Sequence, residues 1–215
     1  MNHLWYATEG GGLAAVVYAP CSITAKVAGG REISIREDTN YPFEDRIRFH
    51  IYTENPIEFP LHLRIPGWCS EAVLCINGEQ TKFEAKEGMM VLDRTWKAGD
   101  LVELQLPMEV KLNRWVENSV SVERGPLVYV LKIREKWTEV KNADEYGNFS
   151  ELRPLDPWNT GLLEAAVLDP AHGFEFFSVG KRINPQAEQP YPWSLENAPV
   201  ALRTKGRAIL PKRSP

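Results

Sequence analysis

From residue 46 to residue 52 the chain alternates strictly. Ile47, Phe49 and Ile51 take one side, while Arg46, Arg48, His50 and Tyr52 take the other. Residues 59–65 repeat the pattern, with Phe59, Leu61, Leu63 and Ile65 on the apolar side. Successive side chains of a strand point to opposite faces, so each segment predicts a β-strand with one buried face. Residues 12–18, 22–27, 32–36, 73–76, 81–84, 90–93 and 102–106 complete a series of short extended segments. Pro20, Asn55-Pro56, Asn77-Gly78 and Ala98-Gly99-Asp100 punctuate it. Asn77-Gly78 is the sharpest of these signals, because both residue types accept the positive φ of a two-residue hairpin turn. Roughly eight or nine short strands over about a hundred residues predict an antiparallel β-sandwich.

After residue 113 the texture changes. Residues 119–122 and 127–133 are strand-like around Gly125-Pro126, and 134–160 form a polar excursion outside the core. Residues 162–168 fit either a turn or two of helix or a buried strand, and 174–179 and 200–208 are extended. Pro185, Pro190, Pro192 and Pro199 forbid long regular elements between them. The expected fold is therefore all-β, an antiparallel β-sandwich in two β-rich lobes with little helix. Residues 1–113 form the sandwich domain and 114–215 the second β-rich lobe.

Composition narrows the function classes. A 215-residue chain with 43% hydrophobic and 25% charged residues is an ordinary globular protein. Its net charge of −4 argues against a nucleic-acid partner. The longest apolar run, residues 13–19, is far short of the ~20 residues of a membrane helix, so no membrane partner is expected. The first residues lack a basic start and an apolar stretch, which places the chain as written in the cytoplasm. Cys21, Cys69 and Cys75 are odd in number and show no CxxC or Cys/His spacing. Three reduced structural thiols are expected, with no metal and no cofactor.

Candidate chemistry is sparse. A glycosidase needs two carboxylates ~5–5.5 Å apart for retention or ~6.5–9.5 Å apart for inversion. Glu117 with Glu123, or Asp93 with Asp100, would be such pairs, yet nothing separates them from the other acids of solvated turns and strand faces, and no catalytic residue is assigned. Arg48, His50, His62 and Arg64 would share a basic face if strands 46–52 and 59–65 pair through the turn at Asn55. Such a face suits an acidic sugar, a phosphate or an acidic partner, or is a solvated sheet surface. Two histidines fall short of a zinc site. There is no Gly-x-Ser-x-Gly elbow, and the glycines 10–12 and 29–30 fit turns. Of seven tryptophans, Trp68 and Trp96 stand at strand ends, where an indole plugs a sandwich edge. Trp137, Trp158 and Trp193 lie in polar or Pro-rich stretches and are the carbohydrate-binding candidates. Arg203, Lys205, Arg207, Lys212 and Arg213 give a basic, frayed tail.

Several strings are more specific: Thr39-Asn-Tyr-Pro42, Leu63-Arg-Ile-Pro-Gly-Trp68, Asn77-Gly78, Trp96-Lys-Ala-Gly-Asp100, Leu106-Pro-Met108 and Arg124-Gly-Pro-Leu-Val-Tyr129. Over residues 12–133 they resemble the region downstream of the catalytic barrel in glycoside hydrolase family 127, the β-L-arabinofuranosidase group. Pro157-Trp-Asn-Thr-Gly-Leu162 is similar to that family's Trp-Asn-Tyr-Gly-Leu string, with Thr160 where Tyr is usual. The resemblance implies an (α/α)₆ barrel first and one or two β-sandwich domains after it. It also implies catalysis by a barrel glutamate and a zinc-bound cysteine from a Cys-Cys pair ahead of the equivalent of Leu13. Cys21 has no adjacent Cys, so the nucleophile is not carried onto it, and the C-terminus is expected to stop inside the last family strand region. The resemblance further implies a non-catalytic accessory portion that packs on an absent barrel or shapes its substrate entrance. Its partner would be that barrel, or a separate chain encoding it, and arabinose-containing plant-type glycans. The alternatives are a stand-alone carbohydrate-binding module and a self-associating structural β protein.

Overall fold

The two alternating segments that dominate the sequence form adjacent strands of the chain on different sheets. In the computed structural model, residues 4–141, 147–178, 192–193 and 197–209 are described. The strands up to residue 105 are β1 (Trp5–Thr8), β2 (Gly12–Ala15), β3 (Cys21–Val27), β4 (Arg31–Thr39), β5 (Arg46–Tyr52) and β6 (Ile57–Arg64), followed by β7 (Val73–Ile76), β8 (Glu79–Thr81), β9 (Ala85–Lys86), β10 (Met89–Trp96) and β11 (Leu101–Gln105). One sheet has the order β1-β2-β6-β10-β9 and the other β3-β4-β5-β11-β7-β8. The pairs are antiparallel except that β2 runs parallel to β6.

Both sheets turn their apolar phase inward. Ile47, Phe49 and Ile51 of β5 are fully buried, as are Leu61 and Leu63 of β6. Leu74, Met90, Trp96, Val102 and Leu104 join them in one core with Ile33 and Ile35. Each such side chain removed from water contributes roughly 1.5–3 kcal/mol, the term that holds the two layers face to face. Trp96 plugs the core as its place at a strand end predicts, and its indole N–H donates to the Phe59 carbonyl at 3.0 Å. Trp68 packs half-buried against the same core.

One expectation is corrected. β5 pairs with β4 and β11, and β6 pairs with β2 and β10, so strands 46–52 and 59–65 do not form a hairpin. Both need an inward apolar face, and a sandwich meets that need by placing consecutive strands in opposite layers. The strand β1 lies ahead of every segment that the alternation predicts.

A proline inside the interior strand β6 needs explanation, since proline cannot donate to a ladder. The parallel partner β2 begins pairing only at Leu13↔Leu61, one residue past Pro60. Gly12 lies directly against that proline. A Cβ on Gly12 would sit 2.3 Å from the Pro60 carbonyl oxygen and 2.6 Å from its ring Cγ.

By contacts the chain divides into two compact units, with the first break at Glu109/Val110. The second contains β12 (Val110–Arg114), β13 (Val120–Arg124) as far as Glu123 and β14 (Leu127–Tyr129) from Val128, three strands of one small sheet, and a hairpin of β15 (Glu135–Val140) with β16 (Phe149–Pro154). β17 (Thr160–Leu162) pairs with β20 (Gly206–Ala208), and β18 (Glu175–Ser178) with β19 (Val200–Arg203). Two short helices, α1 (Glu164–Leu168) and α2 (Pro170–Gly173), lie between β17 and β18. The alternatives at 162–168 thus resolve as a strand end followed by helix, and the excursion at 134–160 contains a mostly exposed hairpin. The fold is all-β with little helix. Pro185 and Pro190 lie outside the described residues.

Candidate functional site

The strings singled out by sequence are turns, and in the first unit they gather at the two ends of the sandwich. At one end Asn77 and Asp100 meet. The Asn77 amide donates to Asp100 Oδ1 at 2.9 Å and its oxygen accepts from the Leu101 backbone N–H at 2.8 Å. The second carboxylate oxygen of Asp100 accepts from the Lys97 backbone N–H at 2.9 Å. Asp100 is therefore a turn brace with both oxygens engaged, and Asp93 is an exposed position of β10.

The opposite end holds the chemistry. On β4 the inward phase runs Ile33, Ile35, Glu37, Thr39, so an acid occupies a core position, and Glu37 is 2% exposed. Three donors from three segments satisfy it. The Trp5 indole N–H donates to Oε2 at 3.1 Å, the Ala19 backbone N–H to Oε1 at 3.0 Å, and the Cys21 thiol to Oε2 at 3.6 Å. Burial nevertheless dominates and pushes the Glu37 carboxyl up to about 7, against the opposing pull of those three donors. The same burial, with the Glu37 charge second, pushes the Cys21 thiol up to about 11.

Around this carboxyl stands an aromatic cluster. Trp5 meets Phe49 edge-on with centroids 5.7 Å apart, and Tyr18 meets Tyr41 edge-on at 5.8 Å. The Tyr18 hydroxyl donates to the Arg64 carbonyl at 2.6 Å, and its acidity is suppressed by burial and by the charge of Glu37. Tyr41, which begins a cis Tyr41–Pro42 peptide, accepts from the Trp68 side chain, and burial raises its pKa. Thr39 locks the turn, donating to the Arg46 carbonyl at 2.8 Å and accepting from the Tyr41 N–H at 3.0 Å. Thr39-Asn-Tyr-Pro42 and Leu63-Arg-Ile-Pro-Gly-Trp68 are thus brought into contact through Tyr41, Trp68, Tyr18 and Arg64. Elsewhere in the same unit Met108 packs on Gly125, where a Cβ would lie 2.7 Å from the Met108 Cγ.

The basic face does not assemble. Arg48 and His50 lie on the outer side of the β3–β8 sheet, His62 and Arg64 on that of the β1–β9 sheet. Arg48 bonds Glu103, its partner across the β5–β11 ladder, at 3.0 Å. Cys21 does not fit the zinc-bound nucleophile of the resembled family, because its thiol donates to the single buried carboxylate Glu37 and burial pushes it up to about 11. Among the described residues no group of three or more His, Cys, Asp or Glu side chains is placed to hold a metal ion. Cys21, Cys69 and Cys75 form no disulfide. In the second unit Trp137, Trp158 and Trp193 are 64%, 67% and 55% exposed. Trp137 shares its face of the β15–β16 hairpin with Leu152, directly opposite, and with Glu135 and Glu139. Trp158 and Trp193 lie on other segments. Glu123 accepts from Ser121 at 3.0 Å, and Glu117 sits in a tight turn with φ +55°.

Sequence reasoning missed Glu37 and Tyr18. A signal was present, since position 37 continues the apolar phase of Ile33 and Ile35.

Comparison with known proteins then bears on these motifs. Residues 12–108 match the family model described as beta-L-arabinofuranosidase, GH127 middle domain. A GH127 β-L-arabinofuranosidase from Geobacillus stearothermophilus T6 is similar in structure, with TM-score 0.56 and 24% identity over 95% of this chain and 31% of that one. A glycoside hydrolase gives TM-score 0.51 and 23% identity over 84% of this chain and 31% of its own. A GH127 β-arabinofuranosidase gives TM-score 0.50 and 22% identity over 68% and 29%. The chain therefore spans about a third of the length of these solved structures. No curated protein matches it.

Proposed function

We propose, from the match of residues 12–108 to the GH127 middle domain, that the chain is the non-catalytic accessory portion of a family-127-like glycoside hydrolase. In this reading it packs against an (α/α)₆ catalytic barrel, encoded with it or separately, and shapes the entrance to that barrel's substrate site. The single observation that carries the reading is the family match over residues 12–108, which spans β2 to β11 of the sandwich. Its chemistry agrees, since Tyr18, Glu37 and Cys21, the described titratable groups that burial raises most, are engaged with neighbours instead of aimed at a substrate. The test is an assay of the pure chain on aryl β-L-arabinofuranosides. No turnover above the blank is expected, and clear turnover by pure protein overturns the reading.

A second reading, a stand-alone carbohydrate-binding module, draws on the β15–β16 hairpin. There an indole 64% exposed shares a face with Glu135 and Glu139. An aromatic plane takes the apolar face of a sugar ring, and carboxylates accept from its hydroxyls. The ligand would be an arabinose-containing glycan.

A further inference from the structure

The hairpin of β12 and β13 has two unlike faces. On β12 Val110 and Leu112 are half-buried, while Lys111 and Asn113, in the opposite phase, are exposed. Trp115 continues the phase of Lys111 and Asn113, and its backbone N–H donates to the Ser119 carbonyl at 2.8 Å, which keeps it in the hairpin. Its indole is fixed from the neighbouring strand. Trp115 Nε1–H donates to Ser121 Oγ at 3.0 Å, and the Ser121 hydroxyl donates to Glu123 Oε1 at 3.0 Å. Trp115, Ser121 and Glu123 therefore share one face, with Asn113 two residues away along β12. A bond from an indole N–H lies in the ring plane, so it occupies the edge and leaves the π faces open. Trp115 is 64% exposed, more than a ring covered on both sides could be. The bond to Ser121 also pre-orders the side chain, which lowers the entropy lost when something stacks on it. Trp137, in contrast, donates to Glu135 of its own strand.

We propose that Trp115, Asn113 and Glu123 form a binding subsite for a neutral pyranoside ring whose hydroxyls are equatorial. Such a ring presents a flat C–H face that stacks on the indole, and its hydroxyls radiate in the plane of the ring toward polar neighbours. Glu123 is half-buried, its Oε1 is taken by Ser121, and among the described residues none donates to its Oε2. That oxygen is an acceptor for a sugar hydroxyl, and the exposed Asn113 amide offers both a donor and an acceptor. The carboxylate repels phosphates and uronates. A protein surface laid on the same face would strip water from the carboxylate and would have to supply a donor in its place.

This inference does not depend on the accessory role, and it concerns a different face and a different sugar class from the Trp137 reading. The experiment titrates the isotopically labelled 215-residue chain with xylohexaose and with cellohexaose. It follows the indole N–H resonances, those of Trp115 and Trp137 being assigned through Trp115→Phe and Trp137→Phe. A saturable shift at Trp115 with at least one of the two sugars is expected, and Glu123→Gln should weaken the affinity roughly tenfold, as loss of a charged acceptor does. No shift at Trp115 with either sugar overturns the proposal. So does a shift that Glu123→Gln leaves at full affinity, or a shift confined to Trp137. A Trp115 resonance that moves with protein concentration in the absence of sugar marks a contact between copies and also overturns it. If Glu123→Gln does not fold, Asn113→Ala takes its place with the same expected weakening, and unchanged affinity there refutes the subsite.

Discussion

The side-chain amide of Asn77 donates to the Asp100 carboxylate at 2.9 Å, joining two turns that are 23 residues apart in the chain. Each turn is conformationally demanding: Asn77 and Gly78 both have positive φ, as does Gly99 beside Asp100. The bond lets each hold the other in register. Asn77→Ala and Asp100→Ala should each cost ~1–3 kcal/mol, since each removes two hydrogen bonds worth roughly 0.5–1.5 kcal/mol apiece. The double variant should cost less than their sum, by about 1 kcal/mol, because one shared bond is lost only once. Urea unfolding of the four proteins measures this. Strict additivity would show that the turns do not cooperate.

Gly12→Ala should destabilise the sandwich by ~3 kcal/mol, a value at the upper end for forced overpacking. The new methyl would meet the Pro60 carbonyl and ring, which are backbone or rigid atoms that cannot swing aside. Gly67→Ala is the control for lost flexibility, since nothing stands within 4 Å of a Cβ there and, like Gly12, it has no positive φ. Comparable thermal shifts in the two variants would place the cost in the glycine conformation and not in the contact.

The pH dependence of global stability should carry the signature of Glu37. Its carboxyl is raised in the folded state from 4.5 to about 7. Its contribution is thus fully present below about 4.5 and is lost as pH rises through about 7. Relative to wild type, Glu37→Gln should gain on the order of 3 kcal/mol between those limits and no more above them. Paired thermal melts at pH 5 and pH 8 test the sign. A wild type that gains on the Gln variant at pH 8 would contradict it.

Trp137→Ala should leave thermal stability unchanged within ~0.5 kcal/mol, as expected for a side chain mostly in water. Under the carbohydrate-binding reading the same change should abolish retardation of the chain in arabinan-containing gels, with Trp158→Ala as the second arm. Wild-type migration that is indifferent to arabinan removes that reading.

The sequence exposed the layers of this fold better than their connections. Alternation placed Ile47, Phe49, Ile51, Leu61 and Leu63 inside, and all are buried. It could not choose partners, because an inward face is satisfied equally by a hairpin neighbour and by the opposite sheet, and β5 and β6 took the second course. The basic face failed for that reason alone. Trp96 was legible from its place at a strand end. β1 was not, because Trp5-Tyr-Ala-Thr8 has no alternating apolar phase, and its ladder to β2 is visible only in the fold. Asp100 appeared as one acid among many, and only three-dimensional proximity to Asn77 reveals its structural use. Glu37 was readable by phase, but an acid in an apolar phase gains meaning only with Trp5, Ala19 and Cys21 around it.

The strand orders also bear on how the chain reaches this form during synthesis. β10 and β11 occupy interior positions, yet they come last in the first unit. A nascent chain that has emerged only to β6 has β5 and β6 without their β11 and β10 partners, with apolar faces bare on both layers. Neither layer can close until residues 89–105 have left the ribosome. Their pairing is long-range, a slow and nearly all-or-none event. Shortening the gene product anywhere before Gln105 should therefore yield aggregate and not a smaller sandwich.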